Sequence, residues 1–145
     1  MRLTFASPDI KLAGAYVVFA VDGGKLSSSA SELDKATSGA LRRALKNSKF
    51  TGKEGQTLSI LGPVGVKASR ILLIGLGKPE KVDDLAIQSL GGTIFNCLAT
   101  CGEKTAFIMV DSIKGVKITN SFFGANLAYG CQLRSYRFDK YRTME

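Results

Sequence analysis

The 145-residue chain contains no histidine and no tryptophan, only three prolines and only three cysteines. Without histidine, a serine or cysteine nucleophile has no imidazole to activate it, and no Gly-x-Ser-x-Gly elbow is present either. The commonest nitrogen ligand for zinc is missing for the same reason. Three is an odd number of cysteines, so a closed disulfide framework within one chain is excluded. Cys97 and Cys101 stand four apart, where two thiolates on one helical face can hold a metal, but Cys131 alone does not complete four ligands. Buried, reduced thiols are the better reading of all three. Long apolar runs are absent too. The longest, Ala13 to Val21, is too short to cross a bilayer, and Met1-Arg2-Leu3-Thr4 leads into no signal-peptide core before Asp9. The expectation is a cytoplasmic protein that makes no use of a membrane.

What is present is ordinary globular material. Hydrophobic residues make up 45% of the chain and charged residues 22%, enough for the core of one domain without staples. The net charge is +8, and part of the excess is local. Arg42, Arg43, Lys46, Lys49 and Lys53 follow one another with no acid between them, and the spacing puts Arg42, Lys46 and Lys49 on one face of a helix that runs that far. Such a face attracts phosphate backbones, which makes these three residues the candidate nucleic-acid contact. A solvated helix face is the plainer reading, because no aromatic stacking platform or reading motif accompanies the charge.

The chain is organised around Arg70 to Lys81. Four consecutive aliphatic residues, Ile71 to Ile74, predict a strand buried on both faces, hence a central one. Gly75-Leu76-Gly77 permits a tight turn, Pro79 ends the ladder, and Asp83-Asp84 supply a cap and an acidic first turn for a helix. A phosphate or dinucleotide could sit at such a strand–turn–helix junction. However, Glu80 stands where the third glycine of G-x-G-x-x-G belongs, and no Gly-Lys-Ser/Thr follows, so a structural turn outweighs a phosphate loop.

Elsewhere, Arg2 to Ala6 and Ala15 to Val21 read as strands joined by a turn around Pro8 to Gly14. Ser29 and Glu32 have the spacing of a capping box, predicting a helix to about Asn47 with Leu33, Ala36, Ala40, Leu41, Ala44 and Leu45 facing the sheet. Thr57 to Leu61 predicts a strand, and its connection to the central one is too short for a parallel crossover. An antiparallel pair and a mixed sheet follow. Ile87, Leu90, Ile94, Leu98 and Cys101 mark a helix from Asp83 to Cys101, capped by Gly102. Gly91-Gly92 interrupts it at a propensity cost of about 2 kcal/mol, which implies close approach of another backbone. Thr105 to Val110 is a further buried strand. A last helix from Asn120 or Ser121 runs through Phe123, Leu127, Cys131 and Leu133, apolar on more than one side as if sandwiched.

The ending Leu133-Arg-Ser-Tyr-Arg-Phe-Asp-Lys-Tyr141 is distinctive. With Tyr16-Val-Val-Phe-Ala20, Leu33-Asp-Lys-Ala-Thr-Ser-Gly-Ala-Leu41, Phe50-Thr-Gly-Lys-Glu-Gly-Gln-Thr57, Arg70-Ile-Leu-Leu-Ile-Gly-Leu-Gly-Lys78 and Leu90-Gly-Gly92, it resembles the N-terminal domain of the leucyl (cytosol) aminopeptidases, hexameric two-metal exopeptidases. The resemblance implies an α/β fold, a three-layer α/β/α domain with a mixed sheet, similar to macro domains. It implies an N-terminal domain over residues 1–131, and over 132–145 the helix end and the start of a linker to a catalytic domain absent from this chain. That missing domain would carry the two divalent metal ions, manganese or zinc, together with the catalytic residues, so no catalytic, metal or cofactor residue is assigned here. The implied partners are the chain's own C-terminal domain and the other copies of a homo-hexamer. The rival reading is a macro-like module binding nucleic acid through Arg42, Lys46 and Lys49, or an ADP-ribose-type ligand near Gly75 to Lys78.

Overall fold

The computed structural model describes residues 2–5, 13–111, 113 and 115–143, with the side chains of 2–5 and 136–143 outside the description. The expected turn around Pro8 to Gly14 lies largely outside the described residues. The elements in order are β1 (Arg2–Phe5), β2 (Gly14–Val21), β3 (Lys25–Leu26), α1 (Ser28–Ala36), α2 (Ala40–Lys46), β4 (Thr57–Leu61), β5 (Ala68–Gly75), a 3-10 turn (Pro79–Lys81), α3 (Asp84–Thr100), β6 (Thr105–Ile108) and α4 (Asn120–Thr143).

Strand order across the sheet is β1-β6-β2-β5-β4, with β3 paired to the end of β2. The β1–β6, β6–β2 and β2–β5 pairs are parallel, whereas β4–β5 and β2–β3 are antiparallel. The mixed sheet and the antiparallel β4–β5 pair are therefore as the short connection demanded. The run Ile71 to Ile74 lies in a strand with neighbours on both sides, paired with β2 and β4. β1 and β2, although adjacent in sequence, do not pair; β6 lies between them.

Because side chains alternate along a strand, β2 and β5 feed two cores. Val17, Phe19, Leu72 and Ile74 point to one face, where Ile87, Leu90, Ile94 and Leu98 of α3 and Phe123 and Leu127 of α4 cover them. Tyr16, Val18, Ile71 and Leu73 point to the other, under Ala30 and Leu33 of α1 and Leu41 of α2. Both faces of the central strands are dry, which is why neither shows a polar–apolar alternation. The layers are α1–α2, sheet, and α3–α4.

Asp83 caps α3, its carboxylate accepting from Ala86 N–H at 2.8 Å, and Gly102 follows the helix end at φ 74°. The close approach expected at the α3 glycines is with α4. A Cβ on Gly91 would lie 2.4 Å from the Leu127 carbonyl oxygen, and one on Gly130 of α4 would lie 2.0 Å from that of Gln88. Gly92 is not part of this contact, since its nearest neighbour would be 3.9 Å away.

Three expectations need correction. The cap of α1 is Ser27, whose side chain accepts from Ala30 N–H, rather than Ser29. The single helix to Asn47 is two helices, broken by Ser38 and Gly39 at φ 56° and 84°. And α4 is not sandwiched over its described side chains: Phe123, Leu127 and Cys131 are buried, but Phe122, Tyr129 and Leu133 remain 51%, 50% and 43% exposed.

Candidate functional site

In sheets of this kind, ligands bind beyond the C-terminal ends of the parallel strands. Here that region holds a cavity of about 440 Å³ lined by Phe19, Val21, Asp22, Ser27, Pro79 and Ile113, among others. What it can bind depends on which backbone donors around it are free.

The glycine turn after β5 offers none. Gly75 N–H donates to the Gln56 carbonyl, Leu76 N–H to Ala20 and Gly77 N–H to Gly52, each at 2.8 Å. The loop between α2 and β4 crosses directly over the turn, so a Cβ on Gly75 would lie 2.1 Å from the Lys53 carbonyl oxygen. Gln56 holds that loop in shape, its Oε1 accepting from Thr51 N–H at 2.9 Å and Lys53 N–H at 3.1 Å. The glycines thus admit the chain's own backbone, and the three amides a phosphate would need already have partners.

The second place for an anion is the N-terminus of α1, where unpaired amides and the helix dipole favour negative charge. It is filled from within. The Asp111 carboxylate, just beyond β6, accepts from Ser29 N–H at 2.9 Å and from Ser29 Oγ at 2.7 Å. Ser27 Oγ takes the next amide, that of Ala30, at 3.3 Å. Sequence reasoning missed this contact, placing Ser29 as the cap.

The basic residues are not brought onto one helical face. Helix α2 ends at Lys46, and Lys49 lies past the cap Asn47. Arg42 is tied to the buried Asp34, its Nε donating to Oδ2 at 2.9 Å and its backbone N–H to Oδ1 at 3.0 Å. Lys46 and Lys49 stand exposed. Among the described residues, no three or more Cys, Asp or Glu side chains converge as a metal site would require. No described helix is long and apolar enough to cross a membrane. The expectation of three buried thiols holds only for Cys131; Cys97 is half-buried and Cys101 is exposed.

Sequence comparison decides what this arrangement belongs to. The model of the cytosol aminopeptidase family N-terminal domain matches residues 17–145. The chain belongs to that family. A probable cytosol aminopeptidase of Caulobacter vibrioides is 35% identical to it over 148 aligned residues, a match covering 100% of this chain and 28% of that protein. The chain spans only about a quarter of the length of such curated relatives. Among solved structures, a tomato leucine aminopeptidase variant superimposes with a TM-score of 0.64 at 18% identity, covering 90% of this chain and 28% of the tomato chain. The macrodomain of Mycobacterium tuberculosis DarG superimposes with a TM-score of 0.66 at 14% identity, covering 90% of each chain. The expected macro-domain-like α/β fold is therefore the observed one. In this cytosol aminopeptidase N-terminal domain the amides of Gly75, Leu76, Gly77 and Ser29, none of which lines the cavity, are bonded to the chain's own backbone and to Asp111.

Proposed function

We propose that this chain is the non-catalytic N-terminal domain of a cytoplasmic leucyl aminopeptidase, serving the packing and assembly of an enzyme that removes N-terminal amino acids from peptides. The observation that carries the reading is the family match over residues 17–145, in relatives about four times as long. In this reading the hydrolytic centre, with two divalent cations such as manganese or zinc, belongs to a C-terminal domain, and the assembled enzyme is a homo-hexamer. Those cations would there supply Lewis-acid activation for hydrolysis of the first peptide bond. Residues 132–145 would lead into the linker. The exposed apolar side chains of α4 suit a domain that has protein to pack against.

The rival, a macro-like module for nucleic acid or an ADP-ribose-type ligand, draws support from the DarG likeness in fold alone. The paired amides of Gly75, Leu76 and Gly77 and the Asp111 carboxylate on Ser29 weigh against an anionic ligand held at the β5 turn or at the N-terminus of α1. The test is to assay the 145-residue chain and the polypeptide carrying its C-terminal domain on a leucine chromogenic substrate with added Mn²⁺. Turnover is expected only from the longer protein, and only with divalent metal. Turnover by the short one that survives repurification and is lost on mutating its own acids would overturn the reading.

A further inference from the structure

The last turn of α3 carries two thiols that neither the fold nor the proposed function uses. Cys101, the cap of the helix, is exposed, and Cys97 one turn earlier is half-buried. The Arg70 guanidinium donates through Nη1 to Cys101 Sγ at 2.9 Å. The same guanidinium is positioned by Glu103, whose carboxylate accepts from Arg70 Nε at 3.3 Å and from Ser69 Oγ at 3.1 Å. Accessible sulfur beside a fixed cation is the setting in which reactive cysteines are found. Cys97 is held back as a neutral thiol: burial raises it first and the neighbouring Cys101 second, outweighing a Thr57 hydrogen bond and the Arg70 charge.

The two sulfurs are also placed to reach one another. Positions four apart on a helix have Cα atoms about 6 Å apart, inside the range of disulfide-bonded pairs, while their Cβ atoms, about 5–6 Å apart, must close by about 1–2 Å. That movement falls on the terminal turn, where Cys101 N–H donates to the Cys97 carbonyl at 3.2 Å and Gly102 follows at φ 74°. Opening that helix end would give up last-turn bonds, among them Glu103 N–H to the Leu98 carbonyl at 3.1 Å; Leu98 is the last fully buried residue of α3.

We propose that Cys101 and Cys97 form a two-thiol oxidation site for hydroperoxides, independent of the aminopeptidase reading. The Cys101 thiolate attacks one peroxide oxygen; the S–O bond forms, the O–O bond breaks, and hydroxide or the alkoxide leaves, giving a sulfenic acid at Cys101. The Cys97 sulfur then attacks that sulfur and gives up its proton, the S–S bond forms, and the sulfenic oxygen leaves with that proton as water. The sulfur pair loses two electrons and the peroxide gains them. Cys131 supplies an internal control, since it is buried and its Sγ donates to the Gly91 carbonyl at 3.1 Å.

The experiment is hydrogen peroxide treatment of the reduced full-length protein, alkylation of remaining thiols, and peptide mapping. Expected are a dithiothreitol-reversible Cys97–Cys101 link within one molecule and oxidation of Cys101 at least tenfold faster than of Cys131. In Cys97→Ser, dimedone should trap sulfenic acid at Cys101, whereas Cys101→Ser should leave Cys97 unlabelled on the same timescale. Arg70→Lys, which keeps the charge but shortens the reach, should slow Cys101 oxidation several-fold. Links formed only between molecules, over-oxidation of Cys101 without a link, or equal rates at Cys101 and Cys131 would each overturn the proposal.

Discussion

Burial pushes the Cys131 thiol up to about 11 from its ordinary 9.0. The fold therefore favours the neutral thiol, and its contribution to stability is whole below pH 9. As pH rises from there to about 11, the unfolded chain ionises first and the contribution drains away. The melting temperature of the protein should fall over that interval more steeply than that of Cys131→Ser, which keeps a donor for the Gly91 carbonyl but does not ionise. Parallel curves would rule the effect out. Asp111 allows a second test, because its two charge-assisted bonds to Ser29 close the first turn of α1. Asp111→Ala should cost about 2 kcal/mol in chemical denaturation, and Asp111→Asn, which keeps one acceptor, about half of that. This contact was not legible in the sequence, since Ser29 and Asp111 are far apart in the chain and Ser27 and Ser29 are equally good caps on paper. Only the seating of β6 beside β2 brings the carboxylate to one of them.

At the scale of elements, the strongest sequence signals were those set by period and punctuation. The apolar run of β5, the Asp83 cap and the Gly102 stop of α3 all stand where they were read. The single helix predicted from Ser29 to Asn47 failed because its apolar spacing continues through Ser38 and Gly39, whereas the backbone turns left-handed at both. Helix α4 was misread because apolar spacing reports a side chain's character and not whether anything covers it. The α3–α4 crossing was half legible: a glycine pair pointed to close approach, but not to which glycine made it. Substitution separates them. Gly130→Ala and Gly91→Ala force a Cβ against a carbonyl oxygen and should each cost about 3 kcal/mol. Gly92→Ala would meet only the Arg134 Cβ at 3.9 Å, an ordinary contact, and should stabilise α3 by up to about 1 kcal/mol through helix propensity. Urea melts of the three variants would check the ranking, and equal effects at Gly91 and Gly92 would contradict it.

For the molecule as a whole, a charge of +8 gives some attraction to any polyanion. With Arg42 engaged by Asp34 and Lys49 off the helix, duplex DNA should bind weakly and without sequence preference. Binding should fall steeply with salt and again in the Arg42→Glu, Lys46→Glu, Lys49→Glu triple variant. Fluorescence anisotropy across a salt series would show it; tight binding that is lost with salt and in the triple variant would restore the nucleic-acid reading, and binding that ignores both would dismiss these three residues as its site. The sheet order carries a consequence for synthesis. Among the described residues β1 pairs only with β6, whose register partner for Arg2 is Thr105, about a hundred residues later in the chain. On a ribosome adding about 5–20 residues per second, the first strand waits on the order of 5–20 s before its only partner emerges. In about the last third of that interval, once β5 has been made, β2, β5 and β4 can already be paired, so the nascent chain then presents two unfilled slots at one margin of a growing sheet. The domain closes from its middle outward, and its first residues are among the last to be seated.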